Sequence, residues 1–533
     1  MMTVASCPGK VLLAGGYLVL DRKHQGFVVS TPSRFYTVVR NAPAAAQNST
    51  TGTGAEEGRN SFSIKVVSPQ FEDGRWDFVA TRDEQRQWTV EPVQGESSSS
   101  SSNPFVHLSL QATLQLASAT GVDIKCEPLD ITIVGSNDFY TQSRSEKTPE
   151  PFAPLNCTIR NVHKTGLGSS AAMVTSLTSS LFLHWTTTPP TDSVSPSPST
   201  SSSSSAAAAA GPSTSSSRLP NPDRQTIELL HNLAQYVHSL AQGKIGSGFD
   251  VSAAVHGSQT YRRFAVECLG DLLERGTAPV PTEELLSILS PAKNPKWTDS
   301  TTAGSVTPFA LPPHTLLLLA DVDAGSNTPS MVGKVMQWKK AQPEEAERVW
   351  NELARANEGL RDVCGELSEA AKRDGTGYAA EVARLAGLPV REWTDSALPF
   401  TAAVDSILQT RALMREMGAA SDVPIEPAEQ TRLLDACSAL PGVIGAGVPG
   451  AGGYDAIWVL CLDPPSSTSS TDSTRPATAV ESLLRSYTEM SVGPLARSAW
   501  VRGGTFEGEA GLLRERVEQV PGLVDAMERA KRY

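Results

Sequence analysis

Residues 164–173, KTGLGSSAAM, combine residue types that can hold an anion. The glycines precede a long apolar run of helix length. The first backbone N–H groups of a helix have no intrahelical partner, and with the positive end of the helix dipole they attract negative charge. Gly166 and Gly168 permit the backbone turns that aim N–H groups inward, and Ala171 and Ala172 keep the surface low. Ser169 and Ser170 add hydroxyls for a phosphate oxygen or a metal. The same residues equally describe an ordinary helix start capped by serine, and the stretch alone leaves both readings open. No G-x-x-x-x-G-K-[ST] occurs in the chain, which excludes a P-loop nucleotide site.

Two further glycine-rich stretches are SCPGKVLLAGGYLVLD at 6–21 and GAGVPGAGGYDAIWVL at 445–460. The second contains G-x-G-x-x-G, but more glycines and a strand-like run follow it. A dinucleotide fingerprint needs a helix there, so that reading is rejected. Read alone, Lys10 is a solvated lysine at a strand start and Asp250 a helix cap or local turn. His231 and His238 lie seven apart on one helical face, and without a third ligand they read as ordinary helix residues. No G-x-S-x-G elbow supports a serine hydrolase.

The elements that must position these residues are strand-like runs at 11–13, 27–30, 35–39, 62–67 and 129–134, mixed with helices. One helix starts at Asn103 and Pro104 and ends before Gly121. Another spans 224–242, with Ile227, Leu230, Ala234, Val237 and Ala241 on one face. Beyond a soft region at 294–313, a strand is expected in HTLLLLADVD. Helices follow at 330–340, 343–373, 400–417 and 427–439, then strands at 443–447 and 454–460. The pattern is α+β. A length of 533 residues suggests about three domains. Insertions at 41–60, 95–103, 186–222 and 463–477 are too poor in large apolar side chains to offset their ordering entropy, which leaves two domains, 1–310 and 311–533.

With 45 Lys+Arg against 57 Asp+Glu and no long basic run, nucleic acid is not an expected partner. Seven scattered cysteines, without a C-x-x-C pair, indicate neither a disulfide framework nor a zinc site. No run of roughly 18 apolar residues occurs, and the N-terminus lacks signal-peptide features. The expectation is a soluble cytoplasmic protein without membrane insertion, its oligomeric state open.

Together the three glycine-rich stretches resemble the GHMP kinase superfamily: PGKVLLAGGYLVLD its first motif, GLGSSAA its nucleotide loop and GVPGAGGYDA its third motif. The likeness runs from residue 6 to beyond 500 and is closest to the fungal type of phosphomevalonate kinase. The supporting stretches are SNDFY (136–140), KTGLGSSAAM, QGKIGSGFDVSAAVHGSQTYRRF (242–264) and DVDAGSNTPSMVGKVMQW (321–338). The resemblance implies an N-terminal domain of the ribosomal-protein-S5 type against a C-terminal ferredoxin-like domain with extra helices, the site lying between them. It implies ATP and Mg²⁺ as cofactors and 5-phosphomevalonate as acceptor, in the mevalonate route to isoprenoids and sterols.

By the same resemblance Lys164, Thr165, Gly166, Leu167, Gly168, Ser169, Ser170, Ala171 and Ala172 form the ATP loop, with Ser170 also a magnesium ligand. Lys10, Asp250 and Ser247 take the catalytic positions. An acceptor bearing a phosphate and a carboxylate needs more cations, for which Lys164, Lys244 and Arg262 rank first, ahead of Arg263 and Arg34. Ser136, Asn137, Asp138, Tyr140, Gly450, Gly452 and Thr328 of GSNT are assigned to the substrate side. The chain departs from mevalonate kinases, whose magnesium-binding glutamate precedes the aspartate by about eleven residues. Ser239 stands there, and Glu228 is the one acid between 224 and 249. An acceptor phosphate with a second pKa of about 6 is already largely ionised at neutral pH, so Asp250 is expected to orient rather than to remove a proton. The rival expectations are another GHMP kinase, such as mevalonate kinase, and a catalytically silent GHMP-like regulator that binds metabolites.

Overall fold

The computed structural model describes residues 1–42, 60–93, 103–141, 150–187, 219–278, 280–322, 328–465, 475–504 and 511–533. Most of the four expected insertions, and Gly325 to Asn327 of GSNT, lie outside the described residues.

The chain opens with β1 (Met2–Ala14), buried on both faces, which pairs antiparallel with the long β2 (Gly26–Asn41). The two runs expected at 27–30 and 35–39 are one strand. Pro32 interrupts the apolar pattern but falls at an irregularity, where the register passes from Pro8 opposite Arg34 to Lys10 opposite Ser30. A bulge tolerates a residue without an N–H and turns the strand locally. Gly9 lies inside this bulge, where a Cβ would come within 2.9 Å of Thr31 Oγ1 and 3.0 Å of Phe139 Cε1. The bulge frees the Lys10 backbone N–H, which donates to Leu167 O at 2.9 Å.

Next come β3 (Ser61–Val67), β4 (Arg75–Arg82) and β5 (Trp88–Pro92), then α1 (Pro104–Ala119) and β6 (Leu129–Gly135). Asn103 caps α1 as expected, its side chain accepting from Phe105 N and Val106 N. The helical layer continues with α2 (Ser169–Thr186), α3 (Arg224–Gln242) and α4 (Phe249–His256), and β7 (Gln259–Arg262), α5 (Thr282–Leu289) and β8 (Ser305–Pro308) follow. β8 pairs with β7 inside the stretch expected to be soft. Among the described residues the first sheet has the order β14-β1-β2-β6-β3-β4-β5, β14 being Leu513–Arg514, with β7 and β8 branching from β2.

α2 lies across β1 and β2, flanked by α1 and α3. Its buried face is rich in Ser and Thr, which lets it sit close to the sheet. Ser180 Oγ accepts from Ala5 N at 2.8 Å and donates to Thr37 O at 2.7 Å, while Ser176 Oγ bonds Thr37 Oγ1 at 2.9 Å. These bonds fix the helix axis, and with it the helix start, against the strand that bears Lys10.

The second sheet is antiparallel, with β9 (Thr315–Val322) at its centre among β10 (Val443–Gly447), β11 (Ala456–Leu462), β12 (Val492–Pro494) and β13 (Val501–Arg502). Between β9 and β10 run α6 (Thr328–Ala341), α7 (Pro343–Arg373), α8 (Gly375–Leu385), α9 (Phe400–Ser421) and α10 (Ala428–Ser438). α11 (Pro476–Ser486) and α12 (Leu523–Ala530) come later. The 31-residue α7 buries Val349, Leu353, Leu360, Val363 and Leu367 at helical spacing against α9. The largest apolar core passes from the first sheet and its helices through Phe309 and Leu311 to α7, α9 and the Leu319 and Trp458 side of the second sheet.

Candidate active site

Gly168 precedes α2 with φ 78°, and no side chain caps the helix. Ala172 N donates to Gly168 O across the turn at 3.1 Å. The serine-capped reading of this stretch therefore fails: Ser169 and Ser170 lie inside the first turn, leaving its N–H groups to another acceptor. Lys10 is laid against this turn. Its Nζ donates to Gly166 O at 2.8 Å, and a Cβ on Gly168 would stand 3.0 Å from Lys10 Cε. Burial lowers the pKa of the Lys10 ammonium from its ordinary value, and the charges of Asp250 and Asp455 oppose that shift.

A second helix start meets the first. Gly248, with φ 77°, precedes α4, which likewise lacks a side-chain cap. Its turn is held by Gln235 Nε2 donating to Gly248 O at 2.7 Å and Tyr261 Oη donating to Ser247 O at 2.8 Å. Phe249 places its ring centroid 5.4 Å from Lys10 Nζ. Asp250 lies in the first turn, where Oδ1 accepts from Val251 N at 3.0 Å.

Between the two turns stands His238, which the sequence reading treats as an ordinary helix residue. The structure gives it polar partners: Nε2 lies 3.0 Å from Ser170 Oγ, 3.1 Å from Gln242 Nε2 and 4.0 Å from Asp250 Oδ2. A signal was present. His231, Gln235, His238 and Gln242 form a polar stripe at helical spacing, and its first three members are buried, where polar side chains need a reason to be. Asp455, in the GYDA part of the third glycine stretch, was left unassigned by the sequence reading, and its charge acts on Lys10.

The remaining expected residues divide. Thr165 Oγ1 donates to Asp138 O at 2.6 Å and Leu167 is buried, so in these two only the backbone faces the loop. Ala171 and Ala172 are buried under the turn, and Lys164 is exposed at its lip, bridged through its backbone to Tyr140. Ser136 Oγ exchanges bonds with the Arg34 backbone. Asp138 is largely enclosed, its carboxyl raised above the ordinary range by burial, and accepts from Ser33 Oγ at 2.9 Å. Tyr140 packs edge-on against Phe71 in the core. Arg34 binds Ser6 Oγ, Ser6 O and Gly511 O, while Arg263 binds Leu20 O and Ile245 O, so both guanidiniums are committed to the scaffold. Lys244 is exposed just beyond α3, and Arg262 has a buried Nε without a partner among the described residues. Thr328 opens α6.

Gly450 and Gly452 adopt φ 64° and 71° in a loop that reaches β1 of the first sheet. Gly450 N donates to Leu12 O at 3.3 Å and Ala451 O accepts from Tyr17 Oη at 2.9 Å. Thr141 Oγ1 to Asp321 Oδ2, at 2.7 Å, joins the segment after Tyr140 to β9 of the second sheet.

Magnesium prefers oxygen ligands and keeps waters. The Ser170 hydroxyl and the Asp250 carboxylate, disposed about the same imidazole, fit that preference. Glu228 supplies no further carboxylate here, because it clusters with His231 and His256.

No protein-family model matches the chain. It is 36% identical over 485 residues to phosphomevalonate kinase erg8 of Aspergillus fumigatus, covering 87% of this chain and 88% of that one. To the peroxisomal phosphomevalonate kinase of Arabidopsis thaliana it is 34% identical over 502 residues, covering 87% and 90%. Among solved structures, Streptococcus pneumoniae phosphomevalonate kinase in complex with phosphomevalonate and AMPPNP superposes with a TM-score of 0.50 at 14% identity, covering 87% of this chain and 92% of that one.

Proposed function

The chain belongs to the phosphomevalonate kinase family and has the α+β GHMP kinase fold, and from that premise we propose how its cleft performs the reaction. The enzyme transfers the γ-phosphoryl group of ATP to (R)-5-phosphomevalonate, giving (R)-5-diphosphomevalonate and ADP, a step of the mevalonate route to isoprenoids.

The observation that supports the site is the meeting of two helix starts without capping side chains, those of α2 and α4, at the Lys10 ammonium. Phosphoryl transfer is mostly positioning and neutralisation of charge, and a partly buried site strengthens each interaction. The N–H groups of 168–171 receive the ATP phosphates, while Ala172, whose N–H is held by Gly168 O, and Gly166 shape the turn and Thr165 and Leu167 contribute backbone alone. Lys10, pinned by Gly166 O, neutralises the oxygens of the transferred group. Lysine suits this position because its three donors can follow those oxygens as bonds lengthen.

The acceptor oxygen belongs to a phosphate monoester that is already largely dianionic near neutral pH, so the step needs no strong base. Asp250 is accordingly an orienting group: one oxygen holds the Val251 N–H, and its charge opposes the fall in the pKa of the half-buried Lys10. Ser170 and Asp250 would hold Mg²⁺, which supplies Lewis-acid charge to the phosphates when bound. His238 braces Ser170 and faces Asp250, making it a positioning residue. Ser247, whose carbonyl is held by Tyr261, sets the turn that presents Asp250. Lys164, Lys244 and Arg262 are assigned to the acceptor's phosphate and carboxylate, with Ser136, Asp138, Thr328, Gly450 and Gly452 shaping the substrate side of the cleft. Tyr140 and Asp138 act from beneath the surface.

Among the described residues no helix is long and apolar enough to cross a membrane. A cytoplasmic place is supported by the seven scattered cysteines, an odd number without a C-x-x-C pair, which suit a reducing compartment. The test of the whole reading is ADP release by the wild-type chain with 5-phosphomevalonate and with mevalonate as alternative acceptors. Turnover with the first is the expected result. Preference for mevalonate would overturn the acceptor assignment, and no turnover with either would restore the silent-regulator reading.

A further inference from the structure

The polar stripe of α3 continues away from the cleft. Two turns before His238, His231 stands beside Glu228 on the same helix and His256 at the end of α4. One carboxylate oxygen of Glu228 and one nitrogen from each ring lie within 4.8 Å of one another. The two imidazoles are 5.1 Å apart at 47°.

Asn232 fixes the state of His231. Its Nδ2 donates to Leu289 O at 2.8 Å, so Oδ1, 3.0 Å from His231 Nδ1, accepts the proton there. The Nε2 lone pair is thereby left as an acceptor, the orientation that outer hydrogen bonds give to metal-binding histidines. Gln235 Nε2 now donates to that lone pair at 3.1 Å and also to Gly248 O at 2.7 Å. The amide keeps its second bond if a metal takes the first.

We infer that Glu228, His231 and His256 form a binding site for a divalent transition metal of the zinc type. Two imidazoles and one carboxylate suit zinc, cobalt or nickel, whereas magnesium selects oxygen donors. The site is therefore chemically distinct from the one at Ser170. Zinc–nitrogen bonds of about 2.0–2.1 Å place tetrahedral ligand atoms about 3.4 Å apart, so binding draws the three side chains together by at most about 1.5 Å. The metal would tie α3 to α4, the two helices that present His238 and Asp250 to the cleft. It is a clamp on the scaffold, and it stands independently of the kinase chemistry.

The test uses the full-length chain, stripped with a chelator and titrated with Zn²⁺ by calorimetry and with Co²⁺ by visible absorption. Saturable uptake of one ion per chain is expected at this site, with the d–d bands of a four- or five-coordinate Co²⁺ bound to nitrogen and oxygen, and a rise in melting temperature. His256→Ala should abolish all three responses. Glu228→Gln, a change at a partly exposed side chain that leaves the fold intact, should weaken uptake at least tenfold while melting like wild type without metal. Absence of saturable binding, an affinity unchanged in Glu228→Gln, or sulfur-to-cobalt charge-transfer bands that point to the cysteines would each overturn the assignment.

Discussion

Alanine at Gly168 tests whether the position of Lys10 sets the rate. Gly168 has φ 78°, a conformation that costs an L-residue roughly 1–2 kcal/mol. The new Cβ would also lie 3.0 Å from Lys10 Cε and 3.2 Å from Cγ, closer than carbon atoms rest. The lysine stem is the part able to yield, and when it does Nζ leaves Gly166 O. A hydrogen bond from a charged group contributes about 1.5–3 kcal/mol, which for a transition-state contact is roughly a 10- to 100-fold loss in kcat. Gly166→Ala is the control. Its φ of 77° imposes the same strain, but nothing lies within 4 Å of its Cβ. Both variants should melt lower by similar amounts, a few degrees. At saturating ATP and phosphomevalonate, only Gly168→Ala should lose kcat, while Gly166→Ala changes mainly the KM for ATP. Equal kcat in the two variants, or wild-type kcat in Gly168→Ala, would refute the role given to Lys10's placement.

Other consequences follow from particular contacts. His238→Gln should lower kcat about tenfold or more and raise the Mg²⁺ concentration needed for half-maximal rate, with the KM for phosphomevalonate little changed; an unaltered Mg²⁺ dependence in steady-state assays would remove His238 from the site. Arg411→Met should cost about 3–5 kcal/mol in urea unfolding, because Glu426, whose side chain is 0% exposed, loses a two-point partner 2.8 Å away, and Arg415 at its edge cannot replace it. His184 is buried with its pKa pushed down to about 4. The unfolded chain therefore binds its proton first: stability is flat above about pH 6.5 and falls as pH drops toward 4, by at most about 1.4 kcal/mol per unit. His184→Gln should remove that part of the slope in urea melts at pH 7 and 4.5.

Much of the scaffold could be read because local signals agreed with the fold. α3 runs from 224 to 242 as expected, with Asp223 capping one end and left-handed Gly243 closing the other around an amphipathic middle. β4 was missed although Trp76, Phe78 and Ala80 alternate with outward residues, because polar neighbours dilute the pattern. α8 was hidden by the two glycines of its first turn. Lys10, Gly166 to Ser170 and Asp250 were made candidates by their motifs, and the structure brings them together. Reading His238 required knowing that Ser170, 68 positions earlier, would face it, and spacing along one helix holds no such information. Arg34 and Arg263 show the reverse limit: charge made them candidates, ranked behind Lys164, Lys244 and Arg262, while their bonds to backbone carbonyls became visible only in three dimensions.

The central claim is that the half-buried ammonium of Lys10, set between the starts of α2 and α4, neutralises the transferred phosphoryl group. The most direct measurement is kcat for Lys10→Met with 5-phosphomevalonate, on protein shown by its melting curve to be folded. Loss of a charge that acts mainly in the transition state should lower kcat by about 10³-fold or more, roughly 4 kcal/mol. A folded Lys10→Met enzyme that keeps kcat within a few-fold of wild type would contradict the account.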